Sequence, residues 1–263
     1  MTSAVRDEES VVLPALTPFS AGRPGRLPAV LLLPGGGYHH HGEAESEPVA
    51  RWLTTLGLHV FLLRYRVAPA RYPAALTDAR DAIRAIRTGA TQLDVDASRI
   101  GVMGFSAGGH LAASLSNVAD DSERPDFAVL GYPVISFVRE PHEGSVRNLL
   151  GPGATSAERL RCSMEFHVSA RTPPTFCWHT ADDPGVPVSH VLRYVEALTR
   201  HDVPVELHVF PHGRHGLGLA WEENPYVGRW TELCQAWFEA RGITGREPVL
   251  LGRGTVDRTS GPE

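Results

Sequence analysis

The chain contains no lysine; all 25 of its basic residues are arginine. A Schiff-base lysine, a phosphate-loop lysine and a kinase lysine are thereby excluded. Cysteine is scarce too: Cys162, Cys177 and Cys234 are odd in number, far apart and without C-x2-C zinc spacing. They read as reduced thiols of a cytosolic protein. No run of about 18 apolar residues exists, so no membrane span is expected. The first ten residues lack an apolar stretch, so no secretory signal is expected either. A basic excess is also missing: the net charge is -5, and no nucleic-acid footprint follows.

What is present is an ordinary globular composition, 42% hydrophobic and 21% charged over 263 residues. That supports one sizeable core and a single domain over 1–244. Short apolar runs recur at 29–33, 60–64, 100–104, 127–131, 175–179 and 205–210. The first four are almost continuously apolar, as strands covered on both faces should be. The run 205–210 alternates, which suits a strand nearer a sheet edge. Helical patterns lie between them, at 47–56, 74–88, 107–118, 188–200 and 229–240. In 74–88, Leu76, Ala79, Ile83 and Ile86 form one stripe, and Gly89 ends the helix. Strand and helix alternating in this way predict a mainly parallel sheet with helices on both faces. Two segments break the rhythm. Residues 136–172 resemble a lid-like insertion with one helix near 157–166. Residues 245–263 are poor in apolar residues and predict a mobile tail.

The most informative stretch is Gly104-Phe-Ser106-Ala-Gly108, a G-x-S-x-G pattern set between a buried strand and an Ala/Leu-rich helix. A turn that tight presents Ser106 at the carboxyl end of the strand, above a helix amino end that favours negative charge. A serine hydroxyl is a weak nucleophile at neutral pH and needs a base held by a carboxylate. Two later loops follow predicted strands and fall at the same edge of the sheet. In the first, Asp183 is the first choice and Asp182 the alternate. In the second, His215 is the first choice, because a glycine follows it, and His212 the alternate. An acyl-transfer site also needs two backbone N–H donors for the developing oxyanion. Ala107, just after the serine, offers one. Gly36 or Gly37, in the loop after the first buried strand, offers the other.

His39, His40 and His41 adjoin that loop and invite a metal reading. Contiguous side chains diverge, however, and metal sites on one element use i, i+2 or i, i+4 spacing. No metal and no cofactor are expected.

The chain resembles the α/β-hydrolases, and among them the acetyl-xylan-esterase and xylanase-like esterase–lipase group. The resemblance rests on Pro34-Gly-Gly-Gly-Tyr38, Glu47-Pro-Val-Ala50, Leu63-Arg-Tyr-Arg-Val67 and Gly104-Phe-Ser-Ala-Gly-Gly-His-Leu-Ala112. It continues through Arg124-Pro-Asp-Phe127, His142-Glu-Gly-Ser145, Asn148-Leu-Leu-Gly151, His179-Thr-Ala-Asp-Asp183 with Val186-Pro-Val188, and His215-Gly-Leu-Gly218. These segments occur in order over about 27–238. The resemblance implies Ser106 as nucleophile, His215 as base and Asp183 as its orienting acid. Two departures stand out. Pro34 replaces the histidine that opens the glycine loop of hormone-sensitive lipases, and His39 to His41 replace smaller residues. The expectation is a cytoplasmic serine carboxylesterase for small, short-acyl esters such as acetylated sugars, with a small-molecule ester substrate, neither membrane nor nucleic acid as partner, and the oligomeric state left open. An acyltransferase using the same residues and a non-catalytic ligand receptor are the alternatives.

Overall fold

A computed structural model describes residues 14–245. Its centre is a seven-stranded sheet. In chain order the strands are β1 (Ala15–Phe19), β2 (Leu27–Leu33), β3 (His59–Arg64), β4 (Val95–Phe105), β5 (Phe127–Gly131), β6 (Thr175–Thr180) and β7 (Val205–Phe210). The helices are α1 (Glu47–Thr55), α2 (Ala74–Arg87), α3 (Ser106–Val118), α4 (Glu143–Leu150), α5 (Ser156–Arg161), α6 (Ser189–Arg200), α7 (Pro225–Gly228) and α8 (Trp230–Ala240). The spatial order is β1-β3-β2-β4-β5-β6-β7. All neighbours are parallel except β1, which runs antiparallel to β3.

The side-chain alternation of a strand sorts the apolar runs between two cores. Ala29, Leu31 and Leu33 face one layer with the buried stripe of α2 and the apolar faces of α3 and α6. Val30 and Leu32 face the other, with Val49 and Leu53 of α1 and Trp230, Trp237 and Phe238 of α8. Burial on both faces is why these strands lack polar positions. The alternation noted in 205–210 has the opposite origin: β7 is an outer strand and is half-buried along most of its length. Cys162 and Cys177 lie in the first layer and Cys234 in the second, all buried. Burial pushes the Cys162 thiol up to about 11 and raises those of Cys177 and Cys234 as well.

Truncating Leu31, fully buried in a central strand, tests this packing. Leu31→Ala is expected to lower the unfolding free energy by about 2–5 kcal/mol. Urea denaturation measures it, and a change below about 1 kcal/mol contradicts close packing at that position.

Two features differ from the sequence reading. The pattern gave no strand at β1, whose residues are largely exposed and include Pro18. The single helix expected near 157–166 is instead α5 and a 3-10 turn at Met164–Phe166, and α4 precedes them. Thr155 caps α5 reciprocally with Glu158, and His142 caps α4 by accepting the Ser145 N–H. The tail expected at 245–263 lies outside the described residues beyond Gly245. Among the described residues no helix is long and apolar enough to cross a membrane.

Candidate active site

The site forms at the carboxyl ends of β2, β4, β6 and β7, where four loops meet. β4 ends at Phe105, and the chain turns directly into α3 with Ser106 at φ +52°. That left-handed conformation is unfavourable for a residue with a side chain and persists only under outside constraint. Gly108 supplies part of the constraint. A Cβ there would lie 2.1 Å from the Leu33 carbonyl oxygen, so only glycine lets α3 pack this tightly against β2. Ser106 is 5% exposed.

The Ser106 hydroxyl donates to His215 Nε2 at 2.7 Å. On the other side of the ring, His215 Nδ1–H donates to Asp183 Oδ2, also at 2.7 Å. Asp183 Oδ1 accepts the N–H groups of Gly185 and Val186, at 2.7 and 3.0 Å. Burial pushes the Asp183 carboxyl up, but the hydrogen bond and charge of His215 and the two backbone donors outweigh it. The net shift is downward. Asp183 therefore stays ionised at neutral pH and fixes the His215 proton on Nδ1, leaving Nε2 free to accept. The alternates form a separate pair: Asp182 accepts from His212 Nδ1 at 2.9 Å and from the Gly213 N–H at 2.8 Å, on the exposed surface.

The glycine loop after β2 is held at several points. Tyr65 OH donates to the Pro34 carbonyl at 2.6 Å, and Asn148 Nδ2 of α4 donates to the Gly37 carbonyl at 2.9 Å. Tyr38 OH donates to His110 Nδ1 at 2.7 Å, because His110 Nε2 is committed to the Cys162 carbonyl. Gly36 has φ +116°, and a Cβ there would sit 2.2 Å from the His40 carbonyl oxygen. Among the described residues the N–H groups of Gly36 and Gly37 make no hydrogen bond. Ala107 follows Ser106 directly and is buried in the first turn of α3, where backbone N–H groups have no intrahelical acceptor.

The three consecutive histidines diverge. His41 bonds the Tyr65 carbonyl at 3.0 Å, while His39 and His40 are exposed. Among the described residues no group of three or more His, Cys, Asp or Glu side chains is placed to hold an ion. The insertion reaches the site through another histidine. A Cβ on Gly37 would lie 3.8 Å from His142 Cε1. Burial lowers the pKa of His142, as does the neighbouring His215, against the opposite pull of Asp183. In the sequence, His142 belongs only to a segment of family resemblance, and nothing in its spacing places it beside the glycine loop.

Residues 30–219 match the family described as alpha/beta hydrolase fold, and the chain belongs to that family. Among curated relatives it is 36% identical over 209 residues to endo-1,4-beta-xylanase B of Butyrivibrio fibrisolvens. It is 32% identical over 201 residues to an acetylxylan esterase of Xylanibacter ruminicola. Those matches cover 74% and 73% of this chain but only 33% and 41% of the relatives' lengths. Among solved structures, an acetyl ester-xyloside bifunctional hydrolase from Caldicellulosiruptor lactoaceticus superimposes with a TM-score of 0.86 at 46% identity, covering 92% of this chain and 93% of that one.

Proposed function

We propose that the protein is a serine carboxylesterase acting on small esters with short acyl groups, acetylated sugars foremost. The carrying observation is the continuous chain from Ser106 through His215 to Asp183, with both links at 2.7 Å, beside backbone N–H groups that have no partner among the described residues. The named activities of the acetyl-ester relatives support the acyl preference.

In this mechanism Ser106 Oγ attacks the ester carbonyl carbon while its proton passes to His215 Nε2. The carbonyl oxygen becomes an anion held by the N–H groups of Ala107 and of Gly36 or Gly37. His215, now an imidazolium facing Asp183, protonates the departing alkoxide as the C–O bond breaks. Water then gives a proton to His215 and attacks the acyl group, and the same steps in reverse release the carboxylic acid and restore Ser106.

Labelling by a fluorophosphonate tests the reading. A single adduct located on Ser106 by mass spectrometry, with loss of esterase activity in proportion, is expected. Full labelling elsewhere, or none with esterase activity intact, overturns it. Turnover across p-nitrophenyl esters of graded acyl length should be highest at acetate or propionate. The surface pair gives a companion expectation: Asp182→Asn and His212→Gln retain kcat within about two-fold, since neither side chain touches the reacting groups. A large loss in either would reassign the acid or the base.

A further inference from the structure

Glu45 ends a short 3-10 turn, separated from α1 by Ser46 alone, and is 4% exposed. A buried carboxylate needs partners, and both of its partners belong to the site. Glu45 Oε2 accepts the Gly35 N–H at 2.6 Å, at the root of the glycine loop. Glu45 Oε1 accepts the Tyr132 hydroxyl at 2.7 Å. That hydroxyl oxygen in turn accepts the Gly218 N–H at 2.9 Å, three residues after His215. Tyr132 follows β5 directly, at φ +35°, a strained conformation for a tyrosine. Its ring packs edge-to-face on His215 with centroids 5.0 Å apart.

One buried acid therefore joins the segment carrying Gly36 and Gly37 to the segment carrying His215. The fit is close. A Cβ at Gly35 would fall 2.7 Å from Glu45 Oε2 and 2.9 Å from Ser106 Cβ. With Tyr132 and Gly35 both donating, each carboxylate oxygen is an acceptor, which is the bonding of the ionised form. Burial raises the carboxyl pKa, and although the Tyr132 and Gly35 hydrogen bonds and the nearby His215 and His40 draw it down, the net shift is upward. Arg214 and Tyr65 also face it. His215 is faced by Asp183, His142 and His179 as well as by this carboxylate.

We propose that Glu45 is a positioning residue for ester hydrolysis. Through Gly35 it sets the glycine loop that binds the oxyanion, and through Tyr132 it sets the His215 loop. It also adds a second negative charge, besides Asp183, beside the imidazolium that forms in the transition state. The inference rests on the esterase reading. The second role separates Glu45 from a residue that merely fills space, because charge acts on the protonation of the base and shape does not.

The test is Glu45→Gln, which keeps the size and removes the charge, with Tyr132→Phe as the second variant. In a Glu45→Gln protein with wild-type circular dichroism, kcat for p-nitrophenyl acetate is expected to fall about 10- to 100-fold. KM should stay within about two-fold, and the acid limb of kcat/KM should move to lower pH. A wild-type kcat, a loss confined to KM, or a fall in kcat with the acid limb unmoved overturns the proposal. If Glu45→Gln does not fold, Tyr132→Phe decides: a kcat lowered about 10-fold or more at constant KM supports the link, and a wild-type kcat overturns it. Fluorophosphonate labelling of the wild-type protein keeps the two ideas apart. Absence of a Ser106 adduct there defeats the esterase reading, whereas a labelled wild type with unchanged variants defeats only the role of Glu45.

Discussion

Ser106→Ala is expected to lower kcat for p-nitrophenyl acetate by about a million-fold. In the proposed mechanism the variant removes the atom that forms the acyl intermediate, and the imidazole and the N–H groups then act on water alone. They still provide a residual acceleration over the uncatalysed reaction, on the order of a thousand-fold. The fold should survive. Alanine keeps the Cβ of Ser106, so the φ of +52° carries no new strain, and among the described residues the only hydrogen bond of the Ser106 side chain is to His215. Circular dichroism and a thermal melt check that point, and a stopped assay at high enzyme concentration measures the residual rate. A folded variant with a rate within ten-fold of wild type would remove the nucleophile from the mechanism.

Asp183→Asn is expected to cost about 10,000-fold in kcat. The carboxylate holds the ring by accepting Nδ1–H at 2.7 Å. An asparagine can place its amide N–H there instead, and the ring then presents Nδ1 as acceptor and carries its proton on Nε2, facing Ser106. The base would point its proton at the group it must deprotonate. The geometry changes little, so KM should be nearly unaffected and the loss should appear in kcat. The same substitution has a pH signature in stability. Asp183 gives up its proton more readily in the folded protein than its ordinary value of 3.8 implies. It therefore stabilises the fold above that pH, and the contribution is lost as the pH falls through the lower folded value. The stability difference between wild type and Asp183→Asn should thus narrow in strong acid. A difference that widens on acidification would contradict the downward shift.

The sequence revealed those parts of the molecule whose signal is local. The core stretches of β2 to β5 are legible because burial on both faces leaves them almost without polar residues, whereas the exposed start of β4, with Asp96, Ser98 and Arg99, carries no such signal. Ser106 is legible because the turn from β4 into α3 demands small neighbours, and Gly108 meets the Leu33 carbonyl at just the point where the pattern needs glycine. Asp183 and His215 follow from loops at the ends of β6 and β7. What is illegible arises between distant segments. β1 has an exposed pattern and a proline, and becomes a strand only by pairing with β3 at an edge that tolerates both. α4 is capped by His142, a residue type that carries no capping signal in a sequence. Glu45 is one glutamate among many until Gly35 and Tyr132 are seen to close on it.

The three thiols divide between the two faces of the sheet, Cys162 and Cys177 beneath α2, α3 and α6, Cys234 beneath α1 and α8. Each is sealed and poorly acidic, so an alkylating reagent meets almost no thiolate in the native protein. Modification then becomes a clock for opening, and the order in which the sulfurs react tells which flank of the molecule loosens first.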